Sequence, residues 1–172
     1  QGDVDTIINQ YLKPVADAKH ESVVSRHGIE LYEAGVYPGP NERAAAAVHF
    51  LQPCEIRIRI GAKNGFPLTG LVVRVYDELG SLVSSLNSCE EGVAPFTMGP
   101  MQTFVYPISK MTLMPGRYSV SILVHRPHDA TKYLEADSFF GFEVLAAVVP
   151  IGILPYTKVN GVARYVDGCN IA

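Results

Sequence analysis

Two periods of apolar residues divide the chain. In residues 3–18, Val4, Ile7, Ile8, Tyr11, Leu12 and Val15 recur in three- and four-residue steps, which predicts a short helix. Asp3 is placed to cap its start and Pro14 to end or kink it. A mostly polar stretch, Ala16 to Ser25, then reads as a linker. From Gly28 onward the period becomes two. Short alternating runs are predicted as strands at 28–32, 46–50, 55–60, 71–77, 81–86, 103–108, 117–125 and 139–146.

In Glu55-Ile56-Arg57-Ile58-Arg59-Ile60 the isoleucines share one side and the charges the other, as in a half-buried antiparallel strand. Glu78-Leu79-Gly80 is a turn signal, so 71–77 and 81–86 read as a hairpin. Pro107 places 103–108 at a sheet edge. Residues 87–100, with two glycines and two prolines, read as a loop. The final segment supplies a candidate strand at Gly161 to Val166. Many short strands with no helices between them predict an all-β antiparallel sandwich, jelly-roll or immunoglobulin-like, preceded by the short N-terminal helix. The expected division is a linker helix over 1–25 and a sandwich over 26–172.

Composition narrows the functions. Apolar residues make up 48% of the 172 and charged ones 18%, a globular balance. Lys and Arg number 14 against 17 Asp and Glu, for a net charge of -3, which disfavours a nucleic-acid partner. Cys54, Cys89 and Cys169 are widely spaced and odd in number, so free thiols in a reducing compartment are expected. No signal peptide is seen at the start, and the first residue is Gln1, so the chain is expected to be a piece of a longer polypeptide. The apolar run from Val144 to Leu154 is broken by Pro150 and Gly152 and is too short to span a bilayer.

Nucleotide-binding and hydrolase signatures are missing: there is no G-x-x-x-x-G-K-[ST], G-x-G-x-x-G or G-x-S-x-G. His125 and His128 flank one loop without a third ligand cluster, so no metal or other cofactor is expected. Glu90-Glu91 and Asp77-Glu78 sit in loops or turns, where solvated acids are ordinary, and no enzyme activity is expected.

The outward strand faces carry the chemistry. A sugar-binding face needs an aromatic ring to stack on and polar groups to take hydroxyls in pairs. Arg57 and Arg59, Arg74 and Tyr76, and Arg117, Ser119, Ser121 and His125 all fall on the polar side of their strands. On one shared sheet, these eight would form a surface suited to a neutral or acidic glycan. Taken singly, each is also what an ordinary solvated face carries.

Several segments, in order, resemble the C-terminal domain of Wzt-type O-antigen ABC transporter ATP-binding proteins. Residues 2–12, Gly-Asp-Val-Asp-Thr-Ile-Ile-Asn-Gln-Tyr-Leu, resemble the stretch that follows the nucleotide-binding domain there. Val73 to Gly80, Leu113 to Val124 and Phe142-Glu143-Val144 resemble the family's D-x-x-G hairpin, its L-x-P-G-x-Y strand entry and its closing strand. The strand Cys54 to Ile60, after its Gln52-Pro53 corner, also fits, whereas the tail after Val149 departs from the pattern.

The resemblance implies a sandwich appended to an ATPase domain of the same polypeptide, working with a transmembrane permease at the inner face of the membrane. It implies recognition of an exported polysaccharide, often at a modified non-reducing end, without catalysis. It also implies a homodimer, with a C-terminal strand exchange for which Gly161 to Val166 is the candidate. The alternative is a dimerising sandwich that touches no sugar.

Overall fold

The computed structural model describes residues 19–20, 23–128, 131–146 and 170–171. Among these the chain is all-β, with twelve strands: β1 (Lys19–His20), β2 (Val24–Arg26), β3 (Ile29–Tyr37), β4 (Ala47–His49), β5 (Cys54–Ala62), β6 (Phe66–Asp77), β7 (Leu82–Asn87), β8 (Phe96–Met98), β9 (Gln102–Ile108), β10 (Gly116–His125), β11 (Lys132–Leu145) and β12 (Asn170–Ile171). The expected helix and the Gly161 to Val166 strand both lie outside the described residues.

The strands form two sheets. The first runs β1-β3-β5-β9-β12 with β2 also on β3; the second runs β4-β11-β10-β6-β7 with β8 also on β6. Every pairing is antiparallel except β4 on β11, which is parallel. Among the described residues, sheet pairing therefore includes Lys19 and His20, inside the stretch read as linker.

Period-two alternation builds the core. Ile56, Ile58 and Ile60 of β5 point inward and are at most 1% exposed, each contributing about 2 kcal/mol of apolar burial. They face Leu71, Val73 and Val75 of β6 and Val120, Ile122 and Val124 of β10 within one buried cluster. Because these residues take the inward positions, their polar neighbours must point outward.

Turn chemistry sets the registers. His27 and Gly28 both have positive φ, 53° and 79°, in the two-residue turn from β2 to β3, as a tight hairpin requires. At the β6–β7 hairpin the Asp77 carboxylate accepts the backbone N–H groups of Leu79 and Ser81, both at 2.9 Å. That closes the Asp-Glu-Leu-Gly turn whose Gly80 has φ 76°.

Pro107 predicts a sheet edge, but β9 lies between β5 and β12. Among the described residues its outer side meets only β12, at Phe104 and Val105, so Pro107 lies beyond that pairing. The loop expected over 87–100 contains β8, whose Phe96 and Met98 pair with Thr69 and Phe66. Phe96 packs on the core ring of Phe104, with centroids 4.9 Å apart.

Candidate functional site

The eight outward residues do not share one sheet. Arg57 and Arg59 are on β5, between β3 and β9 in the first sheet. Arg74, Tyr76, Arg117, Ser119, Ser121 and His125 are on β6 and β10, which are neighbours in the second. The common eight-residue surface is thereby corrected to six residues, with the two β5 arginines on the opposite outer face. The reason is topological: after β5 the chain turns through 63–65 into β6, which belongs to the facing sheet rather than to a hairpin partner of β5.

The first sheet's outer face is paired within itself. Arg57 bonds the Glu55 carboxylate through Nε at 2.9 Å, donates Nη2 to the Gly39 carbonyl at 2.8 Å and stacks 4.2 Å above the Tyr37 ring. Its donors position the turn after β3. Tyr37 donates to Glu33 at 2.8 Å and Tyr32 to Glu30 at 2.7 Å. Burial first, then that bond to Glu33, pushes the Tyr37 hydroxyl up to about 12. Arg59 is more open: its Nε and Nη2 both point at the Met101 sulfur, 3.1 and 2.9 Å away, a weak acceptor.

On the second sheet, β10 is the spine. Arg117, Ser119, Ser121, Leu123 and His125 alternate outward along it, spanning about 27 Å at roughly 3.4 Å per residue. Ser119 lies opposite Tyr76 on one side and Gly141 on the other. Ser121 lies opposite Arg74, and Arg117 opposite Glu143. Directly opposed residues in an antiparallel pair stand about 5 Å apart, so Tyr76, Ser119 and Gly141 form one row. Glycine leaves that row without a side chain on its β11 side. The half-buried Tyr76 stands beside Ser119 and the buried Gly141, with Arg74 one row away along β6 and Arg117 along β10.

The arginines differ in restraint. The Arg74 guanidinium lies 3.6 Å from the Glu135 carboxylate. That carboxylate is already held by Lys132 at 2.7 and 2.9 Å. Arg117 is exposed; its backbone N–H bonds Glu78 at 3.1 Å, and its guanidinium has no hydrogen bond or ion pair among the described residues. Both guanidinium groups keep donors for an outside acceptor. Ser121 is committed instead: its oxygen accepts the Ser138 backbone N–H at 3.0 Å, pinning the bulge where Ser138 adopts φ 48°.

His125 ends the row, with its ring laid over Gly70 of β6. Its Nδ1 lies 3.1 Å from the Arg126 carbonyl, which it bonds as donor. Its Nε2 is buried without a hydrogen-bond partner among the described residues. The ring fills the space over Gly70, where a Cβ would lie 2.9 Å from Nε2 and 3.1 Å from the Cys89 sulfur. His125 is thus packed against the far end of the face. No group of three or more His, Cys, Asp or Glu side chains able to hold a metal occurs among the described residues.

Gly141, Glu135 and Lys132 were not read from the sequence as parts of this face. They lie on β11, whose bulge breaks the alternation that marks outward positions. A Phe-Gly-Phe triplet between buried rings is the one signal that could have pointed to Gly141.

No protein-family model matches the chain, and no curated protein matches it by sequence. Its structure is similar to a solved one described as the C-terminal domain of Wzt, with a TM-score of 0.63 and 12% sequence identity, over 84% of this chain and 89% of the other. This chain has the fold of the Wzt C-terminal domain.

Proposed function

We propose that this chain binds a glycan on the outer face of its second sheet, without catalysis, as the recognition module of a polysaccharide-exporting ABC transporter. The observation that carries the reading is the Tyr76–Ser119–Gly141 row with Arg74 and Arg117 on its flanks. The ring offers a stacking surface for pyranose C–H groups. The serine hydroxyl and the under-used guanidinium donors take hydroxyl or acidic oxygens in pairs. The likeness of fold to the Wzt C-terminal domain supports the transport setting.

In that setting the chain works beside an ATPase domain and a membrane permease, at the cytoplasmic side of the membrane and as a homodimer. No helix among the described residues is long and apolar enough to cross a membrane itself. Affinity is weak, because an open face desolvates only one side of a sugar. The test is calorimetric titration of the chain with O-antigen polysaccharide from its source organism, followed by measurement of glycan chain length. Saturable binding that leaves the length unchanged and is lost in Tyr76→Ala supports the proposal. Shortened glycan would mean an enzyme. Equal binding by Tyr76→Ala would move the site off this face, and no binding would leave the dimerising sandwich.

A further inference from the structure

The end of the second sheet away from the β6–β7 hairpin brings together two side chains that the Tyr76 row does not use. His125 of β10 lies opposite Gly70 of β6. On the other side of β6, Val72 lies opposite Asn87. The Ser88 N–H then bonds the Leu71 carbonyl at 2.8 Å, and the Leu71 N–H bonds the Ser88 side-chain oxygen at 3.0 Å. That register carries Cys89 alongside Gly70, so His125, Gly70 and Cys89 form one row. Cys89 is held there by its turn: its N–H bonds the Asn87 side-chain oxygen at 3.2 Å, and its carbonyl accepts the Gly92 N–H at 3.3 Å.

The glycine in the middle lets the outer two approach. A Cβ at Gly70 would lie 2.9 Å from His125 Nε2 and 3.1 Å from the Cys89 sulfur, so the two atoms are at most about 6 Å apart. The nitrogen is buried and has no hydrogen-bond partner among the described residues, whereas buried polar groups are ordinarily met. The opposite ring nitrogen decides what Nε2 offers. Nδ1 lies 3.1 Å from the Arg126 carbonyl, which only accepts, so in the neutral ring Nδ1 carries the proton and Nε2 a bare lone pair. Histidines that ligate metals are oriented in this way, by a bond from the second nitrogen to a carbonyl or carboxylate.

We propose that His125 Nε2 and the Cys89 sulfur together bind a soft monovalent cation, copper(I), beside the bare Cα of Gly70. With bonds of zinc-like length, about 2.0 Å to nitrogen and 2.3 Å to sulfur, the two donors stand roughly 4.3 Å apart, inside the limit that Gly70 sets. Thiolate and imidazole are donors that suit copper(I). As the sulfur–metal bond forms, the Cys89 thiol loses its proton to solvent, and ion and thiolate then cancel in charge. A divalent ion would keep a net positive charge and would call for further ligands. No cluster of three His, Cys, Asp or Glu side chains occurs among the described residues to supply them. Cys89 is half-buried in a surface turn, which gives the ion a way in.

The test is anaerobic titration of the reduced full chain with copper(I) against a chromogenic copper(I) chelator, in a Cys169→Ser background that removes the thiol outside the described residues. Cys54 is 3% exposed, within the core, and stays out of reach. One equivalent should be held, and X-ray absorption should show one nitrogen and one sulfur neighbour. Cys89→Ser and His125→Gln should each weaken binding by more than about a hundredfold, beyond the usual loss for a residue one step removed from a metal. Gly70→Ala should weaken it too, because its Cβ would take the space between the donors. Thermal melting of the metal-free variants checks that each is folded, and should one fail to fold, the absorption spectrum of the Cys169→Ser chain decides alone. A chain that cannot hold copper against the chelator overturns the proposal. So does undiminished binding by folded Cys89→Ser or His125→Gln, or a sulfur-only environment, which would mean a bridge between two chains.

Discussion

The Arg74 guanidinium meets the Glu135 carboxylate above the strand between them, 3.6 Å from Nη1 to Oε1. One residue is on β6 and the other on β11, with β10 in between. The arginine arm therefore lies across Ser121 and Leu123, both 6% exposed despite their outward positions. Half-exposed pairs at such a distance add little stability. Arg74→Ala should change unfolding free energy by less than about 0.5 kcal/mol. It should weaken glycan binding roughly tenfold, the loss of one charge-assisted hydrogen bond. Denaturant unfolding and calorimetry on the same variant separate the two.

Arg57 should behave in the opposite way. Its bonds to Glu55 and the Gly39 carbonyl and its stacking on Tyr37 hold the turn after β3. Arg57→Ala should cost about 1 kcal/mol, the discounted value for a partly exposed network. It should speed amide exchange in the turn following Tyr37. Glycan affinity should not change, and the same holds for Arg59→Ala, because both side chains sit on the sheet opposite Tyr76.

Gly61 has no room for a methyl group. A Cβ there would lie 2.1 Å from the Pro100 carbonyl oxygen and 2.9 Å from the Met101 Cα, both backbone atoms. The 99–101 turn is laid onto β5 by the 2.7 Å bond from the Ala62 N–H to the Gly99 carbonyl. Gly61→Ala should therefore destabilise by roughly 3 kcal/mol, the upper range for overpacking. Thermal melting beside Gly80→Ala reads this out: nothing lies within 4 Å of a Cβ at Gly80, so only its positive φ resists.

Alkaline pH should unfold the protein through groups that the fold keeps protonated. Burial, then nearby Asp77 and Glu78, pushes Tyr118 up to about 12; burial, then Glu33, does the same for Tyr37. Burial also raises the Cys54 thiol to about 12 from an ordinary 9.0. The folded chain keeps these protons where the unfolded chain loses them. Their contribution is full below pH 9 and is lost as pH rises through about 12. Tyr118→Phe should lower stability near neutral pH by about 1 kcal/mol, since its hydroxyl bonds the Met114 carbonyl at 2.6 Å. It should also flatten the alkaline decline, which urea titrations at stepped pH would show.

Strands whose alternation is unbroken were legible from sequence. β5 and β10 read plainly because Ile56, Ile58 and Ile60, and Tyr118, Val120, Ile122 and Val124, hold strict period two. β11 was seen only in its second half. Its first half carries the Ser138 bulge, which puts Asp137 and Ser138 side by side in the exposed class and breaks the period. β8 is too short, between Pro95 and Gly99, to show a period at all. The grouping of the outward residues was not legible for a related reason: alternation tells which side chains point outward, but not which sheet a strand joins. Arg59 and Arg74 look alike in sequence, and only the pairing of β6 with β10 separates them.

That separation has an evolutionary consequence. Tyr76, Ser119, Arg74 and Arg117 are side chains that neither the buried cluster nor the turns require. Their replacement costs the fold little, whereas the Arg57 network and Gly61 are bound to the architecture. Lineages carrying this scaffold are free to rewrite one surface while the rest of the molecule stays fixed.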